Sequence, residues 1–282
     1  NAGNIDAALE ALCLSTGMSA AQVGQVEDIV SGQINNKEGT DPDNLPGPET
    51  AETITAGFVW TPEFNAIPDL VLSLDYSEVD IQDTIGALTS QEILDGCYGA
   101  GLAENCAQIG RVGGTLTLPG SGTNAFTQNL EYLIAEGIEM NVSASFELPG
   151  RWGSLDVSAN INHYLTQESK STPITAVVEC VGVYGNSCGN PLPETRWIQR
   201  TSWYFADDFM ISYLWSHLDS VNIEDPQVAG TFEQFRSIGS YDYVDLTGTW
   251  QATEQIGVTV AILNVFDEEP PVLGNEAGTT AS

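Results

Sequence analysis

The sequence predicts an all-β protein, antiparallel strands of the kind that build a transmembrane β-barrel. Three observations predict it. Eight segments alternate apolar and polar residues with period two. The connections between those segments alternate strictly between short and long. No run of 18 or more uncharged apolar residues occurs, which excludes a helical membrane span and leaves a strand-built one open.

In chain order, residues 1–50 read as a long connection with short helices, Asp6 capping Ala7–Leu14 and Ser19 capping Ala20–Val30. The first strand sets Ile54, Ala56, Phe58 and Trp60 against Thr53, Thr55 and Gly57. The second sets Leu70, Leu72, Leu74 and Tyr76 against Ser73, Asp75 and Ser77. The third has Ile138, Met140, Val142, Ala144, Phe146 and Leu148 opposite Glu139, Asn141, Ser143, Ser145 and Glu147. Its neighbour has Leu155, Val157, Ala159 and Ile161 opposite Asp156, Ser158, Asn160 and Asn162, and the turn Pro149–Gly153 makes the two a hairpin.

The segment near Trp197 to Phe205 has no cleanly apolar face and is kept as a strand because the hairpin count needs it. Three more strands follow, carrying Phe209, Ile211, Tyr213 and Trp215, then Val244, Leu246 and Trp250, then Ile256, Val258, Val260 and Ile262. Connections after Trp60, Leu148, Phe205 and Ala252 are short, whereas those at 86–127, 169–193 and 220–239 are long. A soluble β-sandwich has no reason to place every long connection at one end, while an outer-membrane barrel has short periplasmic turns and long outer loops.

Composition narrows the function. Thirty-nine Asp and Glu against 7 Lys and Arg give a net charge of −32, which repels a phosphate backbone and excludes nucleic acid as a partner. Either outer loops and a wet lumen need the acids, or an acidic mouth attracts a cationic or metal-bearing ligand.

All five cysteines fall in long connections. Cys97 and Cys106 enclose eight residues and Cys180 and Cys188 enclose seven, so each pair can close a small loop as a disulfide. Cys13 is left unpaired within this sequence, its partner expected upstream. No histidine or second C-x-x-C lies near the cysteines, so no metal site is expected.

His163 and His217 sit near outer strand ends, as interfacial packing residues or ligand contacts, without a metal-binding frame. Asp75, Glu78, Asp80, Asp83 and the run Asp267–Glu269 can be read as a glycosidase pair or a calcium loop, but no D-x-D-x-D-G spacing exists. No catalytic, cofactor-binding or metal residue is assigned, and the ligand-contacting residues stay unknown. Tyr76, Phe146, Trp203, Tyr213, Trp215 and Trp250 lie on or near strand ends, as membrane-interface rings or as sandwich core. Gly113-Gly114 and Gly120-Ser121-Gly122 read as flexible turns, not a phosphate cradle.

The stretch from Asn44-Leu45-Pro46-Gly47-Pro48-Glu49-Thr50-Ala51-Glu52-Thr53 to Gly57 resembles the N-L-x-P-E-T-A-x-T-x-x-x-G entry to a barrel strand in the TonB-dependent receptors of Gram-negative outer membranes. Asp75-Tyr76 to Ile85, Glu136-Gly137-Ile138-Glu139, and Ile262-Leu263-Asn264-Val265-Phe266-Asp267 continue the likeness, the last being similar to the family's N-L-F-D-x-x-P signature. The resemblance implies barrel strands over 51–267, the start of a last outer loop at 268–282, and about eight strands of a 22-stranded barrel.

It further implies import of a scarce solute, such as a siderophore, cobalamin or an oligosaccharide, and no enzymatic activity. The TonB complex and outer-membrane lipid would be the partners, and the outer membrane the location. Such receptors also carry a plug domain with a TonB box and a closing strand ending in an aromatic residue, and neither is found here. The alternatives are a complete eight-stranded outer-membrane barrel with a structural or adhesive role, and a secreted acidic β-sandwich that binds a ligand or hydrolyses one.

Overall fold

The computed structural model describes residues 5–25, 34–64, 67, 69–185, 187–206, 208–224, 233 and 236–271. Eight strands form one meander: β1 Thr50–Trp60, β2 Val71–Gln82, β3 Tyr132–Glu147, β4 Ser154–Lys170, β5 Thr195–Phe205, β6 Phe209–Leu218, β7 Tyr241–Thr253 and β8 Ile256–Ile262. Each lies beside its sequence neighbours, with β1 and β8 as the two edges of an open sheet. The short strand Val178–Glu179 pairs with β4.

Register assigns the faces. Trp250 lies opposite Phe209 and Val258, Leu246 opposite Tyr213 and Ile262, and Trp203 opposite Leu155 and Ile211. The apolar residues of successive strands therefore share one face, as alternation requires. The same register resolves β5: Trp197, Gln199, Thr201, Trp203 and Phe205 line up with the apolar face, and Arg196, Ile198, Arg200 and Ser202 with the polar one. Gln199 blurred the pattern because it is polar on the apolar side, where its amide donates to the Thr201 hydroxyl at 2.7 Å.

The apolar face is uncovered. Among the described residues, the buried apolar side chains include only one from the eight strands, Ala144. Ile211, Trp250 and Val258 are 45–46% exposed. A β-sandwich in water buries every second side chain of each strand against another sheet, so this is not the interior of a sandwich.

Strands β2, β3 and β4 run past the segments that alternate cleanly. The ladder of β4 continues from Asn162 to Lys170 although the side chains become polar on both faces. Strand pairing needs only backbone groups, whereas alternation in composition lasts only where the two faces meet different surroundings.

Clustering divides the chain into two compact units. The first comprises Asn1–Ala51, Ile81–Leu133 and Ser169–Val177. In it, α1 spans Ala7–Ser15 with the Asp6 side chain accepting from the Ala8 amide at 3.4 Å. Residues expected to continue as a helix at 20–24 form turns instead, because Ser19 spends its hydroxyl on the Gln22 side-chain oxygen. The remainder of that expected helix lies outside the described residues.

The long connection at 86–127 carries its own core: α2, Ser90–Leu94, leads into a π-turn at Asp95–Gly99 and α3 at Ala103–Ala107. Leu88, Ile93, Cys97, Ile109, Leu116 and Ala125 pack together there. Strand Gly122–Phe126 pairs parallel with Asn36–Gly39 and antiparallel with Ile109–Gly110. Gly122, at φ +122°, is required, since a Cβ there would lie 1.9 Å from the Asn35 carbonyl oxygen.

The second unit comprises Glu52–Asp80, Ile134–Glu168 and Val178–Ser282. Besides most of the meander it holds a four-stranded sheet made from two long connections, in the order Gly189–Leu192, Val183–Gly185, Val221–Ile223, Ser237–Ile238.

Candidate functional site

The polar face of β3 to β6 carries a connected ladder of amides, carboxylates and hydroxyls. Asn160 donates through Nδ2 to Asn141 Oδ1 at 2.7 Å and to Glu139 Oε1 at 2.9 Å, and Asn162 donates to Asn160 Oδ1 at 2.7 Å. Toward the short turns, the Ser145 hydroxyl donates to Asp156 at 2.7 Å. β3 and β4 are neighbours in the sheet, and these bonds run across the pair. A cavity of about 560 Å³ lies against the ladder, flanked by Ser73, Asn141, Ser158, Asn160, Arg200 and Leu214. Such a wall presents donors and acceptors to a hydrated solute.

Arg196 and Arg200 stand four residues apart on this face of β5. Among the described residues every ion pair involves a histidine, so neither arginine has a carboxylate within reach. Arg200 Nη1 reaches only the Ser212 hydroxyl, at 3.4 Å. Sequence reading passed over these two cations because β5 lacks a clean apolar face, but the spacing of Arg196, Arg200 and Ser202 was the available signal.

The cysteines are placed in two tight loops and one helix. Cys97 and Cys106 are joined, with Cα atoms 4.7 Å apart, inside the core of the first unit. Cys180 and Cys188 are joined, with Cα atoms 5.3 Å apart. Cys13, on α1, is free. Glu224 accepts from the Ser187 amide at 3.0 Å and the Cys188 amide at 3.0 Å, and thereby pins the second disulfide loop to the neighbouring connection. Tyr184, 2% exposed, fills the centre of this sheet with Val221 and Ile223, and burial pushes its phenol up.

The histidines lie on the apolar side at the long-connection end. His217 contacts Asp242 at 2.8 Å and Asp219 at 3.1 Å and stacks on Trp197, centroids 5.2 Å apart. His163 Nδ1 meets the Thr195 hydroxyl at 3.0 Å. The aromatic residues fall into two rows. Trp203, Phe205, Phe209 and Trp250 stack along the short-turn end, and Trp197 and Trp215 pack edge to face at the other end, centroids 4.1 Å apart.

Tyr76 donates to Glu78 at 2.9 Å and Glu136 at 3.2 Å. The run at 267–269 follows a turn at 265–266 and is fastened by Asn264, whose Oδ1 accepts from the Glu268 amide at 2.9 Å. Among the described residues, no group of three His, Cys, Asp or Glu is arranged to hold a metal ion. Gly113 and Gly114 form a positive-φ turn whose backbone bridges Val112 and Thr115.

Residues 14–265 match the family described as TonB dependent receptor-like, beta-barrel. Three solved structures are similar to this chain at low identity. A mutant ferric enterobactin receptor from Pseudomonas aeruginosa, in complex with enterobactin, is 15% identical with a TM-score of 0.49, over 78% of this chain and 26% of that one. The siderophore receptor PirA from Acinetobacter baumannii is 13% identical, TM-score 0.46, over 79% and 28%. The FrpB iron transporter from Neisseria meningitidis is 11% identical, TM-score 0.46, over 83% and 28%. The chain thus spans little more than a quarter of the length of those structures. No curated protein matches the sequence.

Proposed function

Since the chain belongs to the TonB-dependent receptor-like β-barrel family, we propose that it supplies about eight strands to the wall of a larger outer-membrane barrel that imports a scarce solute. The observation that carries this reading is the uncovered apolar face, with Ala144 as its strands' one buried apolar residue among those described. Hydrocarbon is the surrounding that makes such a face favourable, and a barrel wall pairs every backbone group while it crosses the membrane.

The two aromatic rows support the same reading. Phe209 and Trp215 are six residues apart on β6, roughly 20 Å along the strand, in scale with an apolar band flanked by aromatic girdles. The polar ladder then faces the lumen, and the long connections face outside, where their disulfides persist. A siderophore, cobalamin or an oligosaccharide would be bound there, and the TonB complex would drive its passage by moving a plug domain.

The open edges favour a share in a larger barrel over a complete eight-stranded one. Strands β1 and β8 do not pair with each other, and every residue of both is exposed. In cells, the full-length protein is expected in the outer-membrane fraction, with solute uptake lost in a strain lacking TonB. Uptake that persists without TonB refutes the mechanism.

A further inference from the structure

We infer that the cavity at the long-connection end of the polar face binds a small aromatic carboxylate, a single ring bearing one anionic group. This rests on the receptor reading and names a ligand class for it. The cavity measures about 280 Å³ and draws Arg196, Tyr241 and Tyr243 from the strands, Leu192 and Ile238 from the two joined connections, and Pro271 from beyond β8.

Charge selects an anion. In a chain with 39 acidic and 7 basic residues, a cation that has found no carboxylate is an unusual outcome of folding. Among the described residues Arg196 makes no ion pair, and its guanidinium lies 5.4 Å from the Tyr164 ring centroid. Stacking holds the planar fork without consuming its N–H donors, which match a carboxylate two at a time. The one acidic residue lining the cavity, Asp219, is held by His217 at 3.1 Å.

The walls select a ring. Tyr241 and Tyr243 stand with centroids 5.6 Å apart, and the Tyr241 hydroxyl is spent on the Glu269 carbonyl. The walls therefore offer ring surface, and Arg196 is the one cation among the described lining residues. The volume lies just below the range of drug-sized sites, roughly 300–1,000 Å³, which suits one ring and not a large chelate. Two features hold the walls before any ligand arrives: the Cys180–Cys188 bond and the Glu224 contacts to Ser187 and Cys188. A site formed in advance loses less entropy on binding.

The test is calorimetric titration of the full-length receptor in detergent with benzoate, benzylamine and benzyl alcohol. Benzoate is expected to bind at one site, benzylamine and benzyl alcohol not measurably. Arg196→Gln should weaken benzoate by about tenfold or more, and Arg196→Lys by less, since charge survives but the fork does not. Heat-modifiable gel mobility checks that each variant is folded. Absence of benzoate binding, equal binding of benzylamine, or an unchanged Arg196→Gln overturns the inference. If such a failure occurs in protein that is folded and found in the outer membrane, it leaves the receptor reading standing. Protein absent from the outer membrane removes that reading instead, while the titration still decides the cavity.

Discussion

Arginine substitutions at two adjacent residues of β7 test the surroundings of the apolar face. Leu246 is 37% exposed, opposite Tyr213 and Ile262, and lies four positions from Trp250, which faces Phe209, and two from Val244, which faces Trp215. That places it roughly 13 Å from one aromatic row and roughly 7 Å from the other, within the middle part of a bilayer's hydrocarbon. Leu246→Arg is expected to destabilise the barrel by about 2–4 kcal/mol, a factor of about 25 to 700 in the folding equilibrium. Thr247, opposite Ser212 and Ala261, points to the polar side, so Thr247→Arg should cost below about 1 kcal/mol. Urea unfolding of the full-length protein in phospholipid vesicles, followed by tryptophan fluorescence, measures both. Equal costs, or no cost at Leu246, would refute the claim that this face meets hydrocarbon, since an already exposed leucine in water gives an arginine nothing to lose.

Three further outcomes follow from local geometry. Thiol titration of denatured, unreduced protein should find one free thiol or none from these five cysteines, and the paired Cys180→Ser, Cys188→Ser variant should loosen its loop by about 2–3 kcal/mol in the entropic account. Glu224→Gln halves the acceptor capacity facing Ser187 and Cys188 and removes its charge, so hydrogen exchange at those two amides should speed several-fold while β5 and β6 amides stay unchanged. Gly153 sits at φ +73°, and a Cβ there would lie 1.9 Å from the Tyr204 carbonyl oxygen. Gly153→Ala should therefore cost about 1–3 kcal/mol by urea unfolding, whereas Gly150→Ala, with open space around its Cβ, should cost only its backbone strain.

Much of the site's frame was legible because strand alternation is a local code. Asn141, Asn160 and Asp156 could be assigned to the polar face from their neighbours in sequence alone, and the hairpin at Pro149–Gly153 fixed which strands they share. Arg196 was not legible. Its strand carries Gln199 and Thr201 on the apolar side, where the Gln199 amide donates to the Thr201 hydroxyl, so the pattern that assigns a face was broken by a pair of residues bonded across two positions. The 86–127 connection was also underread. Thr89 and Glu92 form a capping box, with the Thr89 hydroxyl accepting from the Glu92 amide at 3.2 Å, and that spacing stood in the sequence as a helix start.

The sequence by itself determined the strands, their order and which side of most of them is oily, because period-two chemistry and connection length act between near neighbours. Only the tertiary structure decided how the long connections fold, since parallel pairing of Asn36–Gly39 with Gly122–Phe126, and of Val183–Tyr184 with Asn222–Ile223, joins distant segments through backbone groups that every residue carries. Hydrogen bonds of that kind leave little trace in composition. The same holds for the convergence of Arg196, Ile238 and Pro271 on one cavity, which depends on register and chain path and not on any local pattern of side chains.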